Sequence, residues 1–144
     1  MIVQSTAIAR WAARKSDLYP TDDVEQLTVD MIMESMNEMT DKAGQDNDPV
    51  IKKALREKFM EMHLPKYMHL VENVLARSGG PFILGRKFSL ADMWVYSQLN
   101  LLYSGNFDFV PADIITTRYP VIDKLFRDIE KHDVVRKELA AKAQ

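Results

Sequence analysis

The chain has 144 residues, of which 47% are apolar and 28% are charged, which suits one folded domain with a polar surface. Its net charge of −2 and the absence of a basic stripe argue against a nucleic-acid-binding protein. Without any cysteine, the chain cannot form disulfides, thiolate metal sites or a cysteine nucleophile. No apolar stretch is long enough to cross a membrane and the N-terminus does not resemble a signal peptide, so we expect a cytoplasmic protein that does not bind membranes.

The first part of the chain contains two predicted helices. Apolar residues at helical spacing predict a short helix over residues 5–14, with Ser5 as its N-cap. Asp22 and Glu25 form a capping-box pattern, which predicts that a second helix starts near Asp23 and ends before Gly44. The side chains expected on the buried face of the second helix are Val24, Leu27, Met31, Ile32, Met36 and Met39.

A third, long helix is predicted from residue 49 to about residue 77. Asp48 followed by Pro49 is a helix-start signal, and Gly79 with Gly80 is a helix-end signal. Pro65 lies inside this helix and should kink it one or two residues earlier, because proline lacks a backbone donor. The side chains expected on its buried face are Leu55, Phe59, Met62, Met68, Val71 and Leu75.

The second half of the chain is also helical. Ser89 and Asp92 form another capping-box pattern, and the helix after it is apolar on nearly all sides, as is typical of a helix in the middle of a domain. We expect one helical turn between residues 106 and 119, an amphipathic helix from Pro120 and a short terminal helix over residues 134–143. No segment alternates with a period of two. The sequence therefore predicts an all-α bundle of about six helices around one buried central helix.

Three segments resemble parts of the glutathione transferases. Residues 3–11 resemble the Gln-Ser-x-Ala-Ile-x-Arg-Tyr segment that ends their thioredoxin-like domain. Residues 85–92 resemble the Gly-x-x-(apolar)-(Ser/Thr)-x-Ala-Asp capping motif of their C-terminal domain, and residues 119–122 resemble the start of one of its late helices. Residues 7–18 and 25–30 look most like the sigma class, which includes the haematopoietic prostaglandin D synthases.

The resemblance implies a domain organisation and a function. Residues 1–16 correspond to the end of the last strand and the last helix of a thioredoxin-like domain, and residues 17–144 to the C-terminal helical domain. The intact protein is implied to be a homodimeric detoxification enzyme that conjugates glutathione, its co-substrate, to hydrophobic electrophiles. The residue that activates glutathione lies upstream of these segments in the family, so we expect no catalytic residue here and no activity of this chain alone. The alternative is a non-catalytic helical module for binding or assembly.

Three residues are implied to bind glutathione. Gln4 and Ser5 match the family residues that hold the γ-glutamyl carboxylate, and a hydroxyl with backbone N–H groups at a helix N-terminus suits an anion. The alternative is that Ser5 only caps its helix. Glu38 matches the acidic residue that reaches the amino group of glutathione across the dimer interface. It belongs to a polar stripe on one face of the second helix, and the alternative is that this stripe is only a solvated face. The stripe consists of Asp30, Glu34, Asn37, Glu38 and Asp41.

The pocket for the electrophile is implied to include Met39, Trp94 and Gln98, although an aromatic residue at helical spacing is also typical of a core position. Some sigma-class enzymes bind a divalent cation among carboxylates on the second helix. Hard cations need several oxygen ligands, and we predict no metal site because an incomplete set is visible here. The positions concerned are Glu34, Asn37 and Glu38.

Overall fold

The computed structural model describes residues 3–142, apart from the side chains of Glu138 and Lys142. The helical elements are α1 (Ser5–Ala13), α2 (Asp23–Lys42), α3 (Pro49–Lys58), a π-helical turn (Phe59–His63), α4 (Leu64–Ser78), α5 (Leu90–Tyr103), α6 (Ile114–Arg118), α7 (Pro120–Lys131) and α8 (Asp133–Lys142). Helix α3, the π turn and α4 follow one another without a break and form one long helix. Residues 3–142 therefore form seven helices, together with two isolated β-bridges. The predicted all-α fold is confirmed; the last predicted helical residue, Ala143, lies outside the described range. None of the described helices is long and apolar enough to cross a membrane.

Helix α5 is the buried central helix that the sequence predicts. It contacts α1, α2, α6 and α7, and both Val95 and Leu99 are completely buried. The capping box at its start is confirmed, because the Asp92 carboxylate accepts hydrogen bonds from the backbone N–H and the hydroxyl of Ser89, each at 2.9 Å. Asp92 also accepts from the backbone N–H of Ile83 at 2.8 Å. One carboxylate therefore caps α5 and anchors the preceding loop.

Helix α2 buries only part of the face predicted for it, because Ile32, Met36 and Met39 are buried as expected but the other three residues are not. Its bounds agree with the prediction, but the exposed fractions of Val24, Leu27 and Met31 are 72%, 69% and 40%, so their assignment to the core was wrong. Apolar side chains occupy more than one face of this helix, and contact with α4 and α5 decides which face is buried. The buried residues of α2 are Val29, Ile32, Met33, Met36 and Met39.

The two N-terminal caps in the first part of the chain also differ in detail from the prediction. Asp22 caps α2 by accepting from the backbone N–H groups of Val24 and Glu25, but the Glu25 carboxylate binds Lys87 at 2.7 Å instead of completing a capping box. Ser5 is the first residue of α1, and Gln4 occupies the N-cap position without a side-chain hydrogen bond. The predicted capping role of Ser5 was therefore wrong.

The long helix changes to π geometry just before its proline. The backbone N–H of Leu64 bonds to the carbonyl of Phe59, five residues earlier, and Pro65 comes next with no N–H to donate. The extra residue in a π turn rotates the side chains of α3 relative to those of α4. This explains why Met62 is 64% exposed although the α-helical period predicts that it is buried, whereas Phe59 and Met68 are buried as predicted.

Candidate functional site

Gln4 and Ser5 lie together at the exposed N-terminus of α1. Gln4 has φ 77° and ψ 104°, a conformation that residues with a side chain seldom adopt and that often occurs at ligand sites. The first backbone N–H groups of an α-helix have no carbonyl partner within the helix. Together with the Ser5 hydroxyl, they form a group of donors that can receive an anion.

Helix α1 is attached to α2 through a charged cluster. Arg10 donates to the Asp30 carboxylate at 2.8 Å and to the Glu34 carboxylate at 2.7 Å. The Tyr19 hydroxyl donates to the same Asp30 carboxylate at 3.0 Å. Two members of the predicted polar stripe, Asp30 and Glu34, therefore hold α1 in place.

The contact between α2 and α5 brings two of the predicted pocket residues to defined partners. Trp94 and Gln98 lie one turn apart on α5, and Trp94 is half-buried. The indole N–H of Trp94 donates to the Asn37 side-chain oxygen at 2.8 Å, and the Gln98 side-chain oxygen accepts from the Thr40 hydroxyl at 2.6 Å. The third predicted pocket residue, Met39, is on α2 between these partners in sequence and is 1% exposed.

Glu38 lies on α2 and lines a crevice of about 320 Å³ between α2 and α4. The buried side chain of Tyr67 lines the same crevice. Burial, followed by the nearby Glu38 carboxylate, raises the pKa of Tyr67 to about 12. Within residues 3–142, no group of three or more His, Asp or Glu side chains is arranged to hold a metal ion.

Comparison with known proteins identifies the family. The sequence profile of the family "Glutathione S-transferase, C-terminal domain" matches residues 32–141 of the chain. The chain belongs to the glutathione S-transferase family. Among curated transferases, it is 33% identical over 105 residues to the glutathione S-transferase of Dirofilaria immitis, which covers 69% of this chain and 49% of that protein. It is 25% identical over 137 residues to the putative glutathione S-transferase alpha-2 of Dictyostelium discoideum, which covers 95% of this chain and 64% of that protein.

Solved transferase structures share the fold. Prostaglandin synthase D of Nilaparvata lugens superimposes with a TM-score of 0.81 and 23% identity, over 96% of this chain and 68% of that one. The sigma-class transferase of Fasciola hepatica superimposes with a TM-score of 0.81 and 21% identity, over 98% of this chain and 66% of that one. The predicted family and sigma-class-like fold are confirmed. The chain spans about half to two thirds of the length of these relatives.

Sequence reasoning did not identify three residues that the transferase fold brings to these sites. Arg10 connects α1 to α2, Thr40 binds Gln98, and Tyr67 lies beside Glu38. Thr40 could have been found, since it is three residues after Asn37 and therefore close to the same helix face. Arg10 and Tyr67 depend on contacts between separate helices, for which the sequence contains no local signal.

Proposed function

We propose that this protein is the helical part of a glutathione transferase that binds the γ-glutamyl end of glutathione and selects the electrophile. The observation that carries the proposal is the strained backbone of Gln4 next to Ser5 at the donor-rich start of α1. Carboxylates bind at such helix ends because backbone N–H groups and the helix dipole favour negative charge. The γ-glutamyl carboxylate of glutathione is an anion of this kind.

Glu38 supplies the complementary negative charge for the amino group of glutathione, in our proposal from a second copy of the chain. Its position on the accessible side of α2, in an open crevice, supports this role, because such a carboxylate can reach a neighbouring subunit. The exposed apolar side chains of Leu27 and Met31 on the same helix support a homodimer, since such surfaces favour protein contacts.

The electrophile is proposed to lie beside the contact between α2 and α5, against Trp94 and Gln98. Met39, which is 1% exposed, contributes to this pocket through the core packing that supports it. Hydrogen bonds to Asn37 and Thr40 fix the polar ends of Trp94 and Gln98, so their orientation is set before a ligand binds. A fixed aromatic side chain suits an apolar substrate, and a fixed amide can orient a polar atom of it.

The chemistry of the intact enzyme is the attack of the glutathione thiolate on an electrophilic carbon, which forms a carbon–sulfur bond. The thiol must lose its proton at neutral pH, so a neighbouring group has to lower its pKa. We assign this step to no residue of this chain. We propose that residues 1–16 belong to the thioredoxin-like domain that supplies the activating group, and that residues 17–144 are the helical domain.

Calorimetric titration of the chain with glutathione tests the proposal. We expect saturable binding of glutathione. Ser5→Ala should weaken the affinity about tenfold, because it removes one hydrogen bond to a charged group. Ser16→Ala is the matched control, because Ser16 is exposed and its hydroxyl donates to the backbone carbonyls of Ala12 and Ala13. Absence of binding, or equal weakening by both substitutions, would contradict the proposed site.

A second candidate function is a non-catalytic assembly module. It is favoured by the exposed apolar side chains of α1, where Ile8 is 42% and Trp11 is 65% exposed. Such a module binds no glutathione, and its Trp11 fluorescence shifts to shorter wavelength when a protein partner covers α1. Glutathione binding together with unchanged Trp11 fluorescence would exclude it.

A further inference from the structure

The Tyr67 hydroxyl is a buried polar group whose hydrogen-bonding capacity is unused. The Tyr67 side chain is 2% exposed, and its hydroxyl has no hydrogen-bond partner among the described residues. Buried hydroxyls in folded proteins nearly always have a partner, because water no longer satisfies them. A buried donor of this kind points to an acceptor nearby that a side-chain movement brings within hydrogen-bonding distance.

The surroundings of Tyr67 identify that partner. Tyr67 lines the crevice between α2 and α4 together with Glu38, Ser35 and Lys66. Lys66 places its ammonium group 4.9 Å from the centre of the Tyr67 ring, where it interacts with the ring and can accept no hydrogen bond. Among the side chains that line the crevice, Glu38 carries the only negative charge, and a carboxylate is a stronger acceptor than the neutral groups of Ser35 and Asn73. The same carboxylate contributes to the raised pKa of Tyr67.

We propose that Tyr67 is a positioning residue for Glu38: its hydroxyl donates a hydrogen bond to one carboxylate oxygen of Glu38 while the other oxygen receives the ammonium group of glutathione. This inference rests on the proposed function, in which Glu38 contacts that ammonium group. Packing fixes the phenol, whereas Glu38 lies at the helix surface. A hydrogen bond from a fixed donor holds the Glu38 side chain in one rotamer before the ligand binds. Less side-chain entropy is then lost on binding, which raises the affinity.

Glutathione affinity in four proteins tests the inference: wild type, Tyr67→Phe, Glu38→Gln and the double variant. We expect each single substitution to weaken binding about five- to tenfold, as for a hydrogen bond to a charged group. Because Tyr67 acts through Glu38, Tyr67→Phe should cause no further loss when Glu38 is already Gln. Additive losses in the double variant would overturn the inference.

Glutathione that lacks its amino group provides a readout that a merely structural role would leave unchanged. Wild type and Tyr67→Phe should bind this analogue equally, because it offers no ammonium group for Glu38. If Tyr67→Phe weakens both ligands equally, or neither, Tyr67 does not position Glu38. Thermal unfolding without ligand shows whether Tyr67→Phe folds, and its midpoint should not fall, because the substitution removes a buried hydroxyl without a partner.

The failure of this inference differs from the failure of the proposed function. If the wild-type chain binds no glutathione, both are overturned. If the wild type binds glutathione and Ser5→Ala weakens it while Tyr67→Phe does not, the proposed function stands and the role of Tyr67 is overturned. Tyr103→Phe is the matched control, because that hydroxyl donates to Asp123 on α7 and neither residue belongs to the proposed glutathione site.

Discussion

The Asp92 carboxylate is completely buried and accepts three hydrogen bonds, two from Ser89 and one from Ile83. Asp92→Asn replaces one acceptor oxygen by an NH₂ group that faces donors, so at least one buried donor is left without a partner. We expect the free energy of unfolding to fall by about 2–3 kcal/mol, measured by urea denaturation.

Asp22→Asn is the matched control for Asp92→Asn. Asp22 caps α2 from an exposed position, and Asn caps helices about as well as Asp, so this substitution should cost only a few tenths of a kcal/mol. Similar losses in the two variants would contradict the view that burial of the three-donor site makes Asp92 important.

Asp123 gives the fold a predictable dependence on acid pH. The hydrogen bonds from Arg127 and then Tyr103 lower the pKa of Asp123 below its ordinary value of 3.8. A carboxylate whose folded pKa is depressed stabilises the protein above its unfolded pKa, and this contribution is lost as the pH falls through the folded pKa. The free energy of unfolding of the wild type should therefore fall more steeply below pH 3.8 than that of Asp123→Asn.

The measurement is urea unfolding at a series of pH values between about 5 and 2. Asp113→Asn serves as control, because Asp113 is exposed and makes no side-chain capping bond at the start of α6. Parallel curves for wild type and Asp123→Asn would show that the Arg127 and Tyr103 contacts do not stabilise the ionised carboxylate.

Local contacts are the part of the site that could be predicted from the sequence. Ser89 and Asp92 are three residues apart, so the capping box requires no knowledge of the tertiary fold. The prediction that Ser5 caps α1 was wrong. Gln4 is the N-cap residue instead, and it adopts a positive φ that its residue type does not favour. The bonds of Arg10 to Asp30 and of Thr40 to Gln98 span 20 and 58 residues. Helical spacing places Thr40 near the face of Asn37, but no local pattern identifies Gln98 or Asp30 as the bonding partner.

Among the helices, positions along the chain were easier to predict than orientations. The bounds of α2 are indicated by a cap and a glycine. Of the six apolar residues assigned to its buried face, Ile32, Met36 and Met39 are buried, but Val24, Leu27 and Met31 are exposed. Their spacing of three and four residues is a regular helical stripe, and the buried residues of the same helix form a second one. Periodicity detects both stripes, but only packing against α4 and α5 decides which of them enters the core.

Helix α1 depends on Arg10 for its attachment. Its only buried residue is Ala13, so apolar burial contributes little, and Arg10 binds both Asp30 and Glu34. In Arg10→Ala, we expect the amides of α1 to exchange with solvent about tenfold faster, while global stability falls by less than about 1 kcal/mol because these ion pairs are partly exposed. Native-state hydrogen exchange measures the first effect and urea denaturation the second.

Arg136→Ala is the matched control for Arg10→Ala, because Arg136 forms an ion pair with Asp133 inside α8 and does not connect two helices. Salt at about 1 M should reproduce part of the Arg10→Ala effect in the wild type, since it screens exposed charges. If exchange in α1 is the same in wild type and Arg10→Ala, the ion pairs do not hold this helix.

As a whole, the molecule combines a well-packed interior with exposed apolar side chains on particular helices. The central helix α5 is covered by its neighbours, whereas Ile8 and Trp11 on α1 and Leu27 and Met31 on α2 remain exposed. A surface of this kind is expected of a domain that contacts other domains or subunits. The fold itself could be predicted from the sequence because capping, apolar periodicity and family resemblance agree, whereas the helix faces that stay exposed are decided by packing between helices.

Leu27 provides the test of the proposed homodimer. It is 69% exposed on α2, near Met31 and on the same helix as Glu38, so an interface that brings Glu38 to a second subunit should cover it. Leu27→Asp introduces a charge that must lose its hydration in such an interface, and we expect it to raise the dimer dissociation constant at least about tenfold, or about 1.4 kcal/mol. Sedimentation velocity over a range of concentrations measures this constant.

Val50→Asp is the matched control, because Val50 is 75% exposed at the start of α3, away from α2 in sequence. Both variants change an exposed apolar residue to aspartate, so both should fold, and circular dichroism checks this. Weakening by Leu27→Asp alone would place the interface on α2, as the proposed contact of Glu38 with a second subunit requires. Equal weakening by both variants would place it elsewhere, and a wild-type chain that remains monomeric would contradict the homodimer and remove the route by which Glu38 reaches its ligand.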